Sequence, residues 1–240
     1  MRKYHYILPI ILQKIGTVLS WGILKVFLSV EIKGRENLKD IKGPVILAAN
    51  HTDELDVVAF PLVLSLFSKL LPLYYVSNPA EKFKTFGWRS YFYGGAFFNM
   101  LGAYPIISGK HNYGIALQNH IYLVRKGETV CIFPEGRRTK TGKLGVAHGG
   151  VAYLSYITSA PVVPIAINTF FNMKWKEFLF GRRKVIIAVG KVMPSREVVP
   201  EKNPNVSDFK RGAQRIVDEI GNLIAAESHD SLEEEVYHVA

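Results

Sequence analysis

The chain of 240 residues carries a single cysteine, Cys131. One thiol excludes an internal disulfide and a cysteine-built metal cluster, and its place in the apolar run Val130-Cys131-Ile132-Phe133 reads as a buried strand. Acidic residues are scarce beside basic ones, 20 against 30, which leaves a formal charge of +10 and a pI near 9.6. That imbalance calls for an anionic partner: nucleic acid, an anionic bilayer or a phosphorylated substrate. Nucleic acid fits worst, because no recognition motif is present and the basic residues are dispersed among apolar segments, with no stripe of stacking aromatics. Internal repeats and linker-like stretches are also missing. With 48% hydrophobic residues the chain fits one domain with one sizeable core.

A long uncharged apolar run is missing as well. Residues 6–30 are nearly all apolar, but Gln13, Lys14 and Lys25 interrupt them, and the longest uncharged stretch falls short of the ~18 residues a bilayer span needs. No A-x-A-like cleavage site follows, which argues against a signal peptide. What remains is one or two helices bearing Trp21 and Phe27, flanked by Arg2, Lys3, Lys14 and Lys25, a pattern suited to lying in a membrane interface. A mean hydropathy of +0.11, high for a soluble protein, favours this over a helix that merely covers the core.

The rest of the chain alternates short β-branched runs with helical patterns. Strands are expected at 44–50, 73–76, 103–107, 129–133, 162–168 and 184–189, and helices at 54–71, 114–126, 150–158 and 206–226. The aromatic-rich stretch 83–101 reads as helix or loop. Such alternation predicts an α/β fold: a single domain with a mixed, mostly parallel sheet flanked by helices, plus an N-terminal membrane-associating helical motif. The expected divisions are 1–33 for that motif, 34–226 for the α/β domain, and 227–240 for an acidic, disordered tail containing Glu233-Glu234-Glu235.

Two segments carry chemistry. In Asn50-His51-Thr52-Asp53-Glu54-Leu55-Asp56 a histidine ends an apolar run with a carboxylate five residues on. Histidine takes a proton from a hydroxyl at neutral pH, and an acid on its other ring nitrogen fixes the tautomer. His51 and Asp56 are therefore the candidate base and orienter, while the nearby Asp53 suits a helix cap. In Phe133-Pro134-Glu135-Gly136-Arg137-Arg138-Thr139, proline ends a strand, glycine permits a turn, and three charges crowd together so that at least one arginine needs an anion. Carboxylate and guanidinium after a buried strand suit a phosphorylated alcohol.

These residues resemble the glycerolipid acyltransferase family, whose type member is 1-acyl-glycerol-3-phosphate acyltransferase. Asn50-His51 with Asp56 is similar to its N-H-x-x-x-x-D box, and Phe133-Pro134-Glu135-Gly136 with Arg138 to its F-P-E-G-T-R-S box. The likeness continues through Gly142, Lys143, Leu144, Gly150, Ala152, Tyr153 and Leu154 into Ala160-Pro161-Val162-Val163-Pro164-Ile165. The resemblance implies direct acyl transfer from acyl-CoA or acyl carrier protein onto a lipid hydroxyl at an anionic membrane surface on the cytoplasmic face. His51 is then the general base and Asp56 its partner. Asn50, Glu135, Gly136, Arg137, Arg138 and Lys110 bind substrate, and no metal or resident cofactor takes part.

The chain also departs from the family pattern. Ser108 stands where the second box carries an arginine expected to contact phosphate, and His148 or Gly149 replaces a lysine before Gly150. Arg137 in place of threonine, and Lys110 two residues beyond Ser108, offer compensating charge. Lysophosphatidic acid is the leading expected acceptor. A glycolipid, an aminoacyl lipid or another lysophospholipid is the rival, and a non-catalytic membrane-binding protein the remaining alternative. The segments 57–73 and 91–98 suit either core packing or the wall of an acyl-chain tunnel, and the basic run Lys174, Lys176, Arg182, Arg183 and Lys184 reads first as a solvated loop.

Overall fold

The computed structural model describes residues 4–78, 96–107, 112–168, 171–180 and 183–237. Within these the β-branched runs form strands β1 (Ser29–Lys33), β2 (Ile46–Ala49), β3 (Leu73–Ser77), β4 (Ala103–Pro105), β5 (Thr129–Ile132), β6 (Val162–Asn168) and β7 (Lys184–Val189). They join in one sheet of order β1-β7-β6-β2-β5-β3-β4, parallel throughout except for the β6–β7 pair. The mixed, mostly parallel sheet expected from the sequence is the one observed. The connections hold helices α1 (Ile7–Phe27), α2 (Asp56–Leu62), α3 (Ala96–Met100), α4 (Tyr113–Ala116), α5 (Gln118–Arg125), α6 (Gly150–Thr158), α7 (Trp175–Phe180), α8 (Ser195–Val198) and α9 (Val206–Tyr237).

The pleat divides the core in two, because successive side chains point to opposite faces. Ile46, Ala48, Val130 and Ile132 pack with α5, α6 and α9, while Leu47, Ala49, Cys131 and Ile165 pack with α1 and α2. Covering both faces is what a parallel sheet requires. Burial pushes the Cys131 thiol well above its ordinary pKa, so it behaves as an inert core side chain.

Helix α1 is amphipathic in reverse. Its buried side includes Gln13 and Thr17, whereas Ile7, Ile11, Ile15, Leu19, Ile23 and Val26 recur every three or four residues and lie exposed. Its 21 residues are long and apolar enough to cross a membrane, more so than the interruptions at Gln13 and Lys14 suggest. Gln13 nevertheless seats it on the domain, donating to the carbonyls of Leu73 (2.7 Å) and Leu101 (2.9 Å) and accepting the Leu73 N–H (2.8 Å).

Three boundaries differ from expectation. Residues 29–33, assigned to the N-terminal motif, form an edge strand beside β7, because Val30 and Ile32 alternate with Glu31 and Lys33. The helix expected over 54–71 stops at Leu62: Pro61 removes an N–H donor, and the hydroxyls of Ser65 and Ser68 bind the N–H groups of Phe67 and Leu70. At the other end α9 does not stop at 226 but runs through Tyr237. Its alanines, leucine and glutamates are good helix formers, and the buried Glu227 is pinned to Lys33 at 2.6 Å.

One buried group makes stability depend on pH. His120 on α5 is fully buried; its Nε2 is 3.4 Å from the Tyr75 carbonyl, and its Nδ1 has no partner among the described residues. Burial lowers its pKa to about 4, against an ordinary 6.5. The unfolded chain therefore binds a proton that the folded chain refuses between these values. This contribution is complete above pH 6.5 and is lost as pH falls through 4, a loss of about 3 kcal/mol. Urea unfolding of wild type and His120→Leu at pH 7, 5.5 and 4.5 should show the variant missing that part of the acid slope.

Candidate active site

Strand pairing brings the two charged turns together. β2 and β5 are parallel neighbours with Ala48 level with Ile132, and three residues further on the same register sets His51 beside Glu135. The crevice beyond the carboxyl ends of such strands is where open α/β sheets bind ligands.

His51 Nδ1 lies 2.9 Å from Asp56 Oδ2. Asp56, fully buried as the first residue of α2, also accepts from the Thr52 N–H, the Asp53 N–H (2.7 Å) and the Thr52 hydroxyl (3.0 Å). Four donors surround this carboxylate, which leaves it little capacity for a further partner. A carboxylate partner makes Nδ1 the donor, so the free lone pair is on Nε2. The imidazole lies flat on Phe133 (centroids 4.0 Å apart, planes at 11°), and Phe133 in turn rests on Phe60. About a fifth of the His51 side chain is exposed (18%), so the ring is held on one side and reachable on the other.

The second turn grips the histidine through its backbone. Glu135 Oε1 accepts the His51 N–H (3.1 Å), and the Thr139 N–H donates to the His51 carbonyl (2.8 Å). The other Glu135 oxygen accepts the Gly145 N–H at 2.6 Å. A Cβ at Gly145 would stand 2.7 Å from that oxygen, so glycine is what allows the approach. Glu135, expected to bind substrate, is a buried brace between three segments.

Asn50, also expected to bind substrate, is likewise engaged with backbone. Its amide donates to the Ile167 carbonyl (2.9 Å) and accepts the Ile167 N–H (2.7 Å), so both ends are spent in tying the end of β2 to β6. Gly136 adopts a left-handed φ of +65° beside the His148 ring and serves the turn. Arg137 and Arg138 do face outward. Arg138 pairs with Glu54 at 3.0 Å, half exposed, and Arg137 has no ion pair among the described residues. Lys110, Ser108, Arg182 and residues 91–95 of the aromatic cluster lie outside the described residues.

A family model described as acyltransferase matches residues 29–168, which hold β1 to β6 and both turns. The chain belongs to the acyltransferase family. Among acyltransferases of known name it is similar to a chloroplast 1-acyl-sn-glycerol-3-phosphate acyltransferase of Brassica napus, 27% identical over 69% of this chain and 43% of the relative. It is also similar to the 1-acyl-sn-glycerol-3-phosphate acyltransferase of Saccharomyces cerevisiae, 25% identical over 76% of this chain and 58% of the relative. The chain thus matches less than half of the first relative's length and under two thirds of the second's. In fold it is similar to the 1-acyl-sn-glycerophosphate (LPA) acyltransferase PlsC of Thermotoga maritima, with a TM-score of 0.64 and 16% identity, covering 91% of this chain and 79% of that one.

Motif reading alone missed four parts of this acyltransferase-family site: Thr52, which saturates Asp56; the Phe133 ring under His51; Gly145, which makes room for Glu135; and Glu54, which holds Arg138. Thr52, Glu54 and Phe133 fall within the two quoted segments, but of these only the Glu54–Arg138 pair shows its role there, as opposite charges.

Proposed function

We propose that this chain transfers a fatty acyl group from a thioester, acyl-CoA or acyl carrier protein, to the hydroxyl of a lysophospholipid, foremost 1-acyl-glycerol-3-phosphate, at a membrane surface. The observation that carries this is the His51–Asp56 pair, with Nε2 free at the mouth of the sheet crevice and Arg137 and Arg138 on the adjoining turn. The names of the relatives favour the acceptor.

In this reading Nε2 of His51 takes the proton of the acceptor hydroxyl as its oxygen bonds to the thioester carbonyl carbon. The C–S bond then breaks and the thiolate leaves, so the enzyme need supply no nucleophile, metal or resident cofactor. Asp56 steadies the imidazolium. Arg137, Arg138 and Lys110 attract the acceptor phosphate. Helix α1 lies in the interface with its apolar stripe in lipid, on the cytoplasmic face.

A different acceptor is favoured by two specific features. Ser108 takes the place of an arginine, and Arg138 is already engaged by Glu54, which weakens the case for a terminal phosphate. The test is transfer of radiolabelled acyl groups from acyl-CoA and from acyl carrier protein to a panel of lysolipids, with His51→Ala as control. Labelling of lysophosphatidic acid that needs His51 supports the leading acceptor, labelling of another lysolipid redirects it, and no labelling overturns the enzymatic reading.

A further inference from the structure

Two phenylalanines far apart in sequence are the most exposed large aromatics described: Phe67, between α2 and β3, is 88% exposed, and Phe180, at the end of α7, is 83% exposed. Each lies close to α1. The Lys14 ammonium lies 5.7 Å from the Phe67 ring, while Phe178 of α7 stacks on Phe27 at 5.4 Å. Phe67 therefore stands beside the first half of α1, and Phe180, two residues beyond Phe178, near its last turn.

The sheet fixes which end is which. Gln13 binds the first residue of β3, so the early part of α1 lies at the edge of the sheet remote from His51. β6 ends beside Asn50, and α7 follows it, so α7 lies at the edge that carries His51. Between Lys14 and Phe27 the helix advances about 20 Å. Phe180 and Leu179, itself 40% exposed, thus stand at the edge that carries His51, and Phe67 beside the helix that runs there from the opposite edge.

We infer that Phe67 and the α7 pair Leu179–Phe180 are two further anchors that insert into an anionic bilayer on either side of α1, setting the sheet so that its His51 edge sits at the lipid surface. The inference rests on the reading of α1 as interfacial. Charge selects the occupant. Lys14 and Lys25 sit on α1 with their ammonium groups over the Phe67 and Trp21 rings, and the exposed Lys174 precedes α7 while the exposed Lys176 lies one turn before Phe180 on it. Aromatic side chains with lysines nearby suit the boundary between acyl chains and anionic headgroups, where each lysine adds attraction. The run 174–184, read from sequence as a solvated loop, thereby gains a place in the mechanism.

The test is flotation of the full chain with vesicles of phosphatidylcholine alone and with a third phosphatidylglycerol, comparing wild type, Phe67→Ser/Phe180→Ser and Lys174→Glu/Lys176→Glu. The serine pair should lower partition into both vesicle types by roughly tenfold or more, and the charge reversal should lower it on the order of tenfold for anionic vesicles only. Circular dichroism should be unchanged in both, since the replaced side chains are exposed. Partition equal to wild type in the serine pair overturns the inference. So does a concentration-dependent dimer that the serine pair abolishes without changing flotation, which would make the face a contact between copies. The arms also separate this inference from the proposed reaction: lowered flotation with no acyl transfer by any form upholds the anchors and removes the reaction, whereas transfer with unaltered flotation does the reverse.

Discussion

Replacing His51 with alanine should lower kcat by about 10²- to 10⁴-fold, the range a positioned general base contributes. The effect should fall on turnover and leave both fold and vesicle flotation alone. His51 is held mainly by its backbone, through Glu135 and Thr139, and alanine keeps that backbone. The side chain contributes one hydrogen bond to Asp56 and a stacked face on Phe133. Losing it leaves Asp56 with three donors, so no buried charge is stranded. Steady-state kinetics on a detergent-dispersed acceptor, beside a thermal melt, would decide the point: a melt shifted as far as the activity would make His51 a structural residue.

Glu135→Ala should damage stability and turnover together. It strips the acceptor from two N–H groups, those of His51 and Gly145, in a site where the carboxylate is 4% exposed. Unsatisfied buried donors cost about 1–3 kcal/mol each, so the variant should lose on the order of 3 kcal/mol by urea unfolding. The segment that positions His51 would also lose its brace, and a shift of about 1 Å at a catalytic group costs around 100-fold in rate. Glu135→Gln should fall between, since its amide has one oxygen for two donors and turns an NH₂ toward the other. A variant with normal stability and a raised KM would contradict the brace and return Glu135 to substrate binding.

What the sequence made legible followed from distance along the chain. His51 and Asp56 were readable because five residues across the start of one helix suffice to bring them together, and the strands because β-branched runs announce themselves one at a time. The roles of Asn50 and Glu135 were not, because they depend on which strands become neighbours: Asn50 meets Ile167 and Glu135 meets His51 only after β2 has taken its place between β5 and β6. Motif membership marked both as part of the site and left open whether their polar atoms face ligand or backbone. Edge strand β1 escaped notice because five residues with two alternating charges look like the end of a basic helix. Helix α2 read too long because apolar residues continue past Pro61, while the serine hydroxyls that unwind the chain act only locally.

The Glu135 brace also bears on how ligands come and go. A turn hydrogen-bonded to the His51 N–H and carbonyl cannot swing out as a flap without carrying His51 along or breaking both bonds, so 133–139 and the first turn after β2 form one unit. Hinged closure of the kind that gates many enzymes is thereby denied to this wall of the crevice. The imidazole of His51 is thereby set in place before any ligand arrives.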